Sequence, residues 1–329
     1  MHPLINTETD VKQNFYSINY IASGSTQWGI GHLKRSLEII TALRKKNNKV
    51  TTTALVSDSG DAVELSSILC RYDRVVQNLQ EIQLEGHGII VDVPEDIQPS
   101  LYERFRKERV FVIGIDWYSK RGKILKTVIN LRGNRRSLKF AIIRDEFLKL
   151  RRKGLGKKKK YGAVIAIGGA DNRWYLKDIL KFINAEKSLY KKKFIVIQGP
   201  LFKEEIISTD HVSIVKKPDH LAEIMAGAEV GISNGGTTLM EFMALGIPTI
   251  IFPQSKEEDA FIQPFLRAGC AKRGVLQPKE FSSQILKLWY DKKLNKEMAK
   301  KAHQLIDGKG VERLVKVITK TFDQYLNCR

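Results

Sequence analysis

AEVGISNGGTTLMEFMALGIPTIIF, residues 228–252, decides how this chain is read. An apolar run, AEVGIS at 228–233, ends in Asn234-Gly235-Gly236. Two threonines then open a segment with helical spacing, and a second apolar run, PTIIF at 248–252, follows. This is a strand, a glycine turn, a helix and a second strand. A turn after a strand falls on the carboxyl edge of a parallel sheet, where ligands bind. The helix that starts there points unpaired N–H groups and its positive end into the turn, which suits a phosphate-bearing ligand. The stretch has neither the GxxxxGK[ST] of a P-loop nor the GxGxxG of a dinucleotide site.

Similar units lie on both sides of it. Towards the N-terminus, AVIAIGG (163–169), KFIVIQG (193–199) and HVSIV (211–215) read as strands, with helices near 175–186, 219–226, 237–245 and 257–268. Segments 278–288 and 309–326 read as closing helices, the last of them placed to cross back to the first half. Before these, RRKGLGKKKKYG at 151–162 is charged, punctuated by glycine and has almost nothing to bury, as a linker does. The first half repeats the pattern. INYIAS (18–23), TTALV (52–56), DRVVQ (73–77), GIIVDV (88–93), RVFVIGID (109–116), TVINL (127–131) and LKFAII (138–143) read as strands. HLKRSLEIITALRKK at 32–46 reads as a helix with Leu33, Leu37, Ile40 and Leu43 or Arg44 in one stripe. Alternating strands and helices predict an α/β fold with largely parallel sheets. Two Rossmann-like domains, 1–152 and 153–329, are expected to face a cleft.

At 329 residues, 43% hydrophobic and 28% charged, the chain has the composition of an ordinary globular protein with two cores. No run approaches 18 apolar residues, so a membrane span is not expected. MHPLINTETDVKQ lacks the pattern of a secretory signal, and Cys70, Cys270 and Cys328 lack metal-ligand spacing. A cytoplasmic location follows, and the net charge of +20 is compatible with peripheral contact at the inner face of a membrane. Nucleic acid is not an expected partner. The lysine runs at 45–49, 157–160 and 191–193 sit at loops and helix ends without interleaved aromatics, and no nucleic-acid motif is present.

Three segments carry candidate chemistry. In Gly29-Ile30-Gly31-His32, the glycines let backbone approach a ligand, and His32 falls in the first turn of a helix. There the positive end disfavours the imidazolium, so a neutral imidazole is available as a general base. Arg35 lies one turn on. The alternative is a loop histidine bonded to backbone. In Gly168-Gly169-Ala170-Asp171-Asn172, Asn172 either contacts a ligand or caps the helix. In Ser233–Glu241, the glycines Gly235 and Gly236 and the hydroxyls of Thr237 and Thr238 are suited to a diphosphate. Glu241 either closes a capping box with Thr238 or accepts from ribose hydroxyls. Asp92 and Asp116 each end a strand and so reach the cleft edge. Tyr118 is placed either to stack on a ring or to close the core. No metal ligand set is expected from the histidines and cysteines.

GIGHLKRSLEIITAL (29–43), FAIIRDEFLKLR (140–151), AVIAIGGADN (163–172) and AEVGISNGGTTLMEFMALGIP (228–248) together resemble the nucleotide-sugar hydrolases of pseudaminic acid biosynthesis. They also resemble the related predicted glycosyltransferases of spore-coat polysaccharide synthesis, all of GT-B architecture. The resemblance implies that His32 is the base, with Arg35 in the arginine position of the same motif. It implies that Gly235, Gly236 and Thr237 receive the UDP diphosphate and that Glu241 holds the ribose. It places Glu257 and Glu258 on the sugar side, where an Asn-Gln pair is usual. Asp92 is followed by Val93-Pro94 where His-Tyr is usual. With the sugar-side residues changed, the resemblance and the residues together predict an inverting glycosyltransferase using a UDP-sugar and a saccharide or lipid-linked acceptor, without a further cofactor. A hydrolase releasing UDP and free sugar, or a binding protein with weak catalysis, are the alternatives.

Overall fold

The computed structural model describes residues 16–24, 31–56, 65–84, 86–93, 99–116, 127–129, 131, 137–154, 158–167, 175–199, 206–216 and 218–328. The expectations for Gly29, Tyr118, Gly168, Gly169 and Asn172 lie outside these residues. The described strands form two six-stranded sheets in which every pairing is parallel. The first contains β1 (Ser17–Gly24), β2 (Lys49–Val56), β3 (Arg74–Val76), β4 (Gly88–Asp92), β5 (Val112–Ile115) and β6 (Thr127–Ile129), in the order β3-β2-β1-β4-β5-β6. The second contains β7 (Tyr161–Ala166), β8 (Phe194–Gln198), β9 (Val212–Lys216), β10 (Ala228–Ser233), β11 (Thr249–Ile251) and β12 (Ala271–Arg273), in the order β12-β11-β10-β7-β8-β9.

Numbered from its own first strand, each sheet has the same order, 3-2-1-4-5-6. The direction of winding reverses between β1 and β4 and again between β7 and β10. Such reversals open a crevice at the carboxyl ends of the strands. The two facing α/β sheets make the GT-B architecture expected from the sequence. The central strands are buried on both faces, so they read as nearly continuous apolar runs rather than alternating ones.

Helix α1 (Gly31–Arg44) follows β1 and buries Leu33, Leu37, Ile40 and Leu43, the stripe read from the sequence. The short α2 (Ser66–Leu69) and α3 (Pro99–Lys107) are further helices described in the first half. Helix α4 (Asp145–Arg152) precedes β7 in the chain, yet its Phe147 and Leu150 join the core beneath the second sheet. The second half adds α5 (Tyr175–Ala185), α6 (Leu221–Ala226), α7 (Thr237–Ala244), α8 (Lys256–Ala268), α9 (Pro278–Tyr290) and α10 (Lys292–Leu305). Helix α11 (Gly310–Asn327) then returns to the first sheet. It places Leu314, Val315, Ile318 and Phe322 in the first core, where the Phe322 ring lies 5.3 Å from Tyr16 and 5.4 Å from Phe111. Each of these buried side chains contributes roughly 1.5–3 kcal/mol.

The chain therefore passes between the cores twice, and the two passages touch. A Cβ on Gly310 would stand 2.0 Å from the carbonyl oxygen of Ala141, so only glycine permits the contact. This explains a departure from the sequence reading. LKFAII at 138–143 is not a strand but a 3-10 turn at Ser137–Phe140 followed by irregular chain. Its apolar run is buried because it crosses from one core to the other: Ile142 packs in the first, Leu138, Ala141 and Ile143 in the second. A buried run of this length has no periodicity that separates it from a strand. The edge strand β12 and helix α10 were not anticipated. The first is three residues long, and the second is lysine-rich, with Met298 and Ala302 as its buried positions.

Candidate active site

The end of the first sheet holds a network of charged side chains with almost no exposure to solvent. Strands β1 and β4 are adjacent at the reversal, with Ala22 paired to Asp92. This sets Asp92 beneath the first turn of α1. The His32 Nδ1 lies 2.7 Å from Asp92 Oδ1. A carboxylate oxygen only accepts, so Nδ1 carries the hydrogen and Nε2 carries the basic lone pair. The Arg35 Nη2, 3.1 Å from the same Nδ1, therefore shares Asp92 with the imidazole rather than donating to it. Arg35 donates from Nε to both Asp92 oxygens, at 3.2 and 3.0 Å, and from Nη2 to Oδ1. Its Nη1 donates to Asp116 Oδ2 at 2.7 Å. The Tyr20 hydroxyl donates to Asp92 Oδ2 at 3.1 Å. Asp116, at the end of β5, has φ +49°, a left-handed conformation that Asp tolerates better than most residues. Its Oδ1 accepts from the Leu131 N–H at 2.6 Å.

Asp92 has no exposed surface, and Arg35 is 5% exposed. Burial alone would raise the Asp92 carboxyl, yet Arg35 and His32 hold it well below the usual carboxylate range. Burial opposes the Arg35 charge as well, but Asp92 and then Asp116 hold the guanidinium above its ordinary value. Burial, with the Asp92 charge beside it, raises the Tyr20 phenol. Among the described residues of the set, two carboxylates stand against one guanidinium, a net negative charge that a proton on His32 would balance. The sequence placed His32 by its helix end alone. Asp92 adds an opposing influence that favours the imidazolium as it forms.

The end of the second sheet is built differently. The Ser233 hydroxyl donates to the Ala166 carbonyl, tying β10 to β7. Gly236 is the N-cap residue of α7, with no side-chain cap. Thr238 is therefore inside the helix, and the capping box with Glu241 does not form. Gly236, Thr237 and Thr238 are partly exposed at this uncapped end. Gly235 is glycine for another reason: a Cβ there would stand 2.7 Å from the Glu258 Cβ. Glu258 occupies the back of the turn. Its carboxylate accepts from Asn234 Nδ2 at 2.7 Å, from the Gly235 N–H at 3.1 Å and from the Gln254 N–H at 2.7 Å. Asn234 is 8% exposed, and its Oδ1, beside Gly236, has no partner among the described residues. Glu257, one residue earlier on α8, is exposed.

The two helix starts meet across the cleft. A Cβ on Gly31 would be 4.0 Å from the Thr237 hydroxyl. One turn along α7, Glu241 is 5% exposed and forms a two-point pair with Arg144: Nε to Oε1 at 2.6 Å and Nη2 to Oε2 at 3.0 Å. The remaining Arg144 nitrogen, Nη1, lies 2.8 Å from Glu146. Beside the NGG turn, at the ends of β11 and β12, a cavity of about 490 Å³ has Tyr175 and Phe252 among its walls and Lys256, Asp259 and Arg273 among its charged groups. The structure thus brings His32, Arg35, Asp92 and Asp116 into one cluster. Asn234, Gly235, Gly236 and Glu258 form a second, and Gly31, Thr237 and Glu241 stand between them. Tyr20 and Arg144 were missed as partners. Arg144 stands in the quoted FAIIRDEF segment, but nothing local pointed it towards a glutamate 97 residues away. Among the described residues no three His, Cys, Asp or Glu side chains come together as metal ligands, and no helix is long and apolar enough to cross a membrane.

Residues 167–316 match the glycosyltransferase family 28 C-terminal domain. An uncharacterized protein of Methanocaldococcus jannaschii is 23% identical over 286 residues, covering 76% of this chain and 58% of that one. The spore coat polysaccharide biosynthesis protein SpsG of Bacillus subtilis is 21% identical over 213 residues, covering 61% and 63%. The chain thus spans about three fifths of the length of these curated relatives. Among solved structures, the S. aureus MnaA–UDP co-structure superposes with a TM-score of 0.60 at 13% identity, over 95% of this chain and 97% of that one. Glycosyltransferases and UDP-N-acetylglucosamine 2-epimerases share the fold. Nothing in these likenesses singles out the hydrolases of pseudaminic acid biosynthesis.

Proposed function

We propose that this GT-B-fold protein belongs with the glycosyltransferases and epimerases that share its fold, and that it is an inverting glycosyltransferase with a UDP-sugar donor and His32 as its base. The observation that carries this reading is the His32–Asp92 pair, seated on a helix end that faces the uncapped end of α7. Asp92 fixes the Nδ1–H tautomer, so Nε2 takes the proton of an acceptor hydroxyl. The acceptor oxygen attacks C1 of the sugar, the bond from C1 to the diphosphate breaks, and UDP leaves from the opposite face with inversion. As the proton reaches His32, the charge of the buried set moves from −1 towards zero. The transition state is thereby favoured over the ground state. Asp92 and Asp116 act through His32 and Arg35, and Arg35 is a positioning residue.

The leaving diphosphate gains negative charge at the N–H groups of α7 and the hydroxyls of Thr237 and Thr238. Gly235 contributes the shape of the turn, since its N–H is already engaged by Glu258. Glu241, held by Arg144, accepts from the ribose hydroxyls. Gly31 admits the sugar between the domains, and Glu257 and Glu258 lie towards its far side. The Bacillus relative, named for polysaccharide synthesis, supports a saccharide or lipid-linked acceptor and a role in surface glycoconjugates.

Incubation of the protein with a panel of nucleotide sugars, with and without cell extract, followed by mass analysis, tests the reading. A sugar conjugate and UDP, formed only with extract, are expected. Free sugar released without extract would instead establish hydrolysis, and UDP binding without turnover would reduce the protein to a binding module. His32→Ala is expected to lower turnover by about a hundredfold or more while leaving UDP affinity within a few-fold.

A further inference from the structure

Lys34 is a partly buried cation with no ion pair or hydrogen bond among the described residues. It lies one turn after Gly31, on the side of α1 that faces the second domain. Gly31 marks that side by its approach to Thr237, and Glu38, a further turn along, is coupled to Asp145 and Arg144. Lys34 itself lies within electrostatic reach of Arg144, Glu241 and Glu146. Both carboxylates are already engaged by Arg144, which binds Glu241 at two points and Glu146 at a third. Burial, and then the neighbouring guanidinium, lower the Lys34 pKa. A cation in that position costs stability that an apolar side chain of similar length would not. The arrangement is explicable if an anion completes it.

The space beside Lys34 is suited to one. The uncapped start of α7 opens there, and the nearly buried Asn234 Oδ1 beside it has no donor among the described residues. A group combining phosphates with hydroxyls would satisfy both. We infer that Lys34 binds the diphosphate of the nucleotide, closing from the first domain onto an anion held by the second. Arg144 makes this arrangement work by keeping Glu241 and Glu146 away from the ammonium. This inference rests on the UDP-sugar reading above and assigns the diphosphate a side chain from the opposite domain.

Calorimetric titration of UDP into the full chain, with Lys34→Met and Lys34→Arg alongside, tests it. Lys34→Met should weaken UDP about ten- to a hundredfold, the range of a charge-assisted contact, while its Tm stays level or rises. Lys34→Arg should bind UDP within a few-fold of the natural protein. The loss in Lys34→Met should be the same with 2′-deoxy-UDP, because the ribose contact is separate. Lys34→Met that binds UDP within twofold of the natural protein overturns the inference and leaves the nucleotide reading standing. So does a loss shared equally by Lys34→Arg. A natural protein that does not bind UDP overturns both.

Discussion

The starts of α1 and α7 both lie at the reversal of a sheet of the same strand order, α1 after the first strand and α7 after the fourth, and they are assembled from different materials. At α1 the local work is done by side chains. Tyr20, His32, Arg35, Asp92 and Asp116 come from four elements and join into one buried charged set. At α7 it is done by backbone, shaped by two glycines and braced from behind by the Glu258 carboxylate. A buried set in which a histidine shares its carboxylate with an arginine is suited to receiving a proton. A backbone turn with open N–H groups is suited to holding an anion that comes and goes. On the proposed reading, one fold used twice separates proton transfer from nucleotide binding, and each end should fail in its own way.

The largest effect is expected from Arg35→Met. It leaves Asp92 and Asp116 buried without their shared cation, which costs about 3–5 kcal/mol, read as a fall in the urea midpoint. A loss under about 1 kcal/mol would mean that the two ends do not differ as described. Asp92→Asn comes next. It retains the shape but removes the charge and turns one acceptor oxygen into a donor, so the His32 tautomer is no longer fixed, and turnover should fall about a hundredfold with UDP affinity unchanged. The same residue gives a pH test. Its carboxyl is depressed in the folded chain, so the stability it supplies is complete above the unfolded value of about 4 and is lost as pH falls through the lower folded one. Acid unfolding below about pH 4 should therefore be shallower in Asp92→Asn.

The smaller effects belong to α7. Gly235→Ala drives a Cβ against Glu258 and should cost about 1–3 kcal/mol in thermal unfolding. Gly236→Ala meets Asn234 first, at 3.3 Å, and has φ −99°, so it should cost less than about 1 kcal/mol. On the proposed reading its methyl group instead faces the diphosphate, and UDP affinity should drop several-fold. Equal stability losses in the two variants would break the distinction between a glycine required by packing and one left open for a ligand.

What was legible in the sequence follows the same division. The strand–turn–helix at 228–252 was readable because its signals are local: an apolar run, two glycines and a helical stripe. The position of His32 was readable for the same reason. The partners were not. His32 and Asp92 are 60 residues apart, Arg35 and Asp116 are 81 apart, and only the pairing of β1 with β4 and the packing of α1 bring them together. Spacing offered Glu241 a partner within its own helix, whereas the structure gives it Arg144 from the passage between the cores. Asp92 read as a residue at the cleft edge, and the resemblance put Glu258 on the sugar side. Burial sets Asp92 behind His32, and Glu258 lies behind the glycines.

The return of α11 to the first sheet also bears on how the molecule comes into being. Leu314, Val315, Ile318 and Phe322 belong to a core whose other members end near Ile142. During synthesis the second lobe is made in full before the first has its closing side chains. At ordinary ribosomal speed that interval is on the order of ten seconds or more. The lobe made first is thus the lobe completed last, and until α11 arrives the crevice holding His32 has no finished wall behind it.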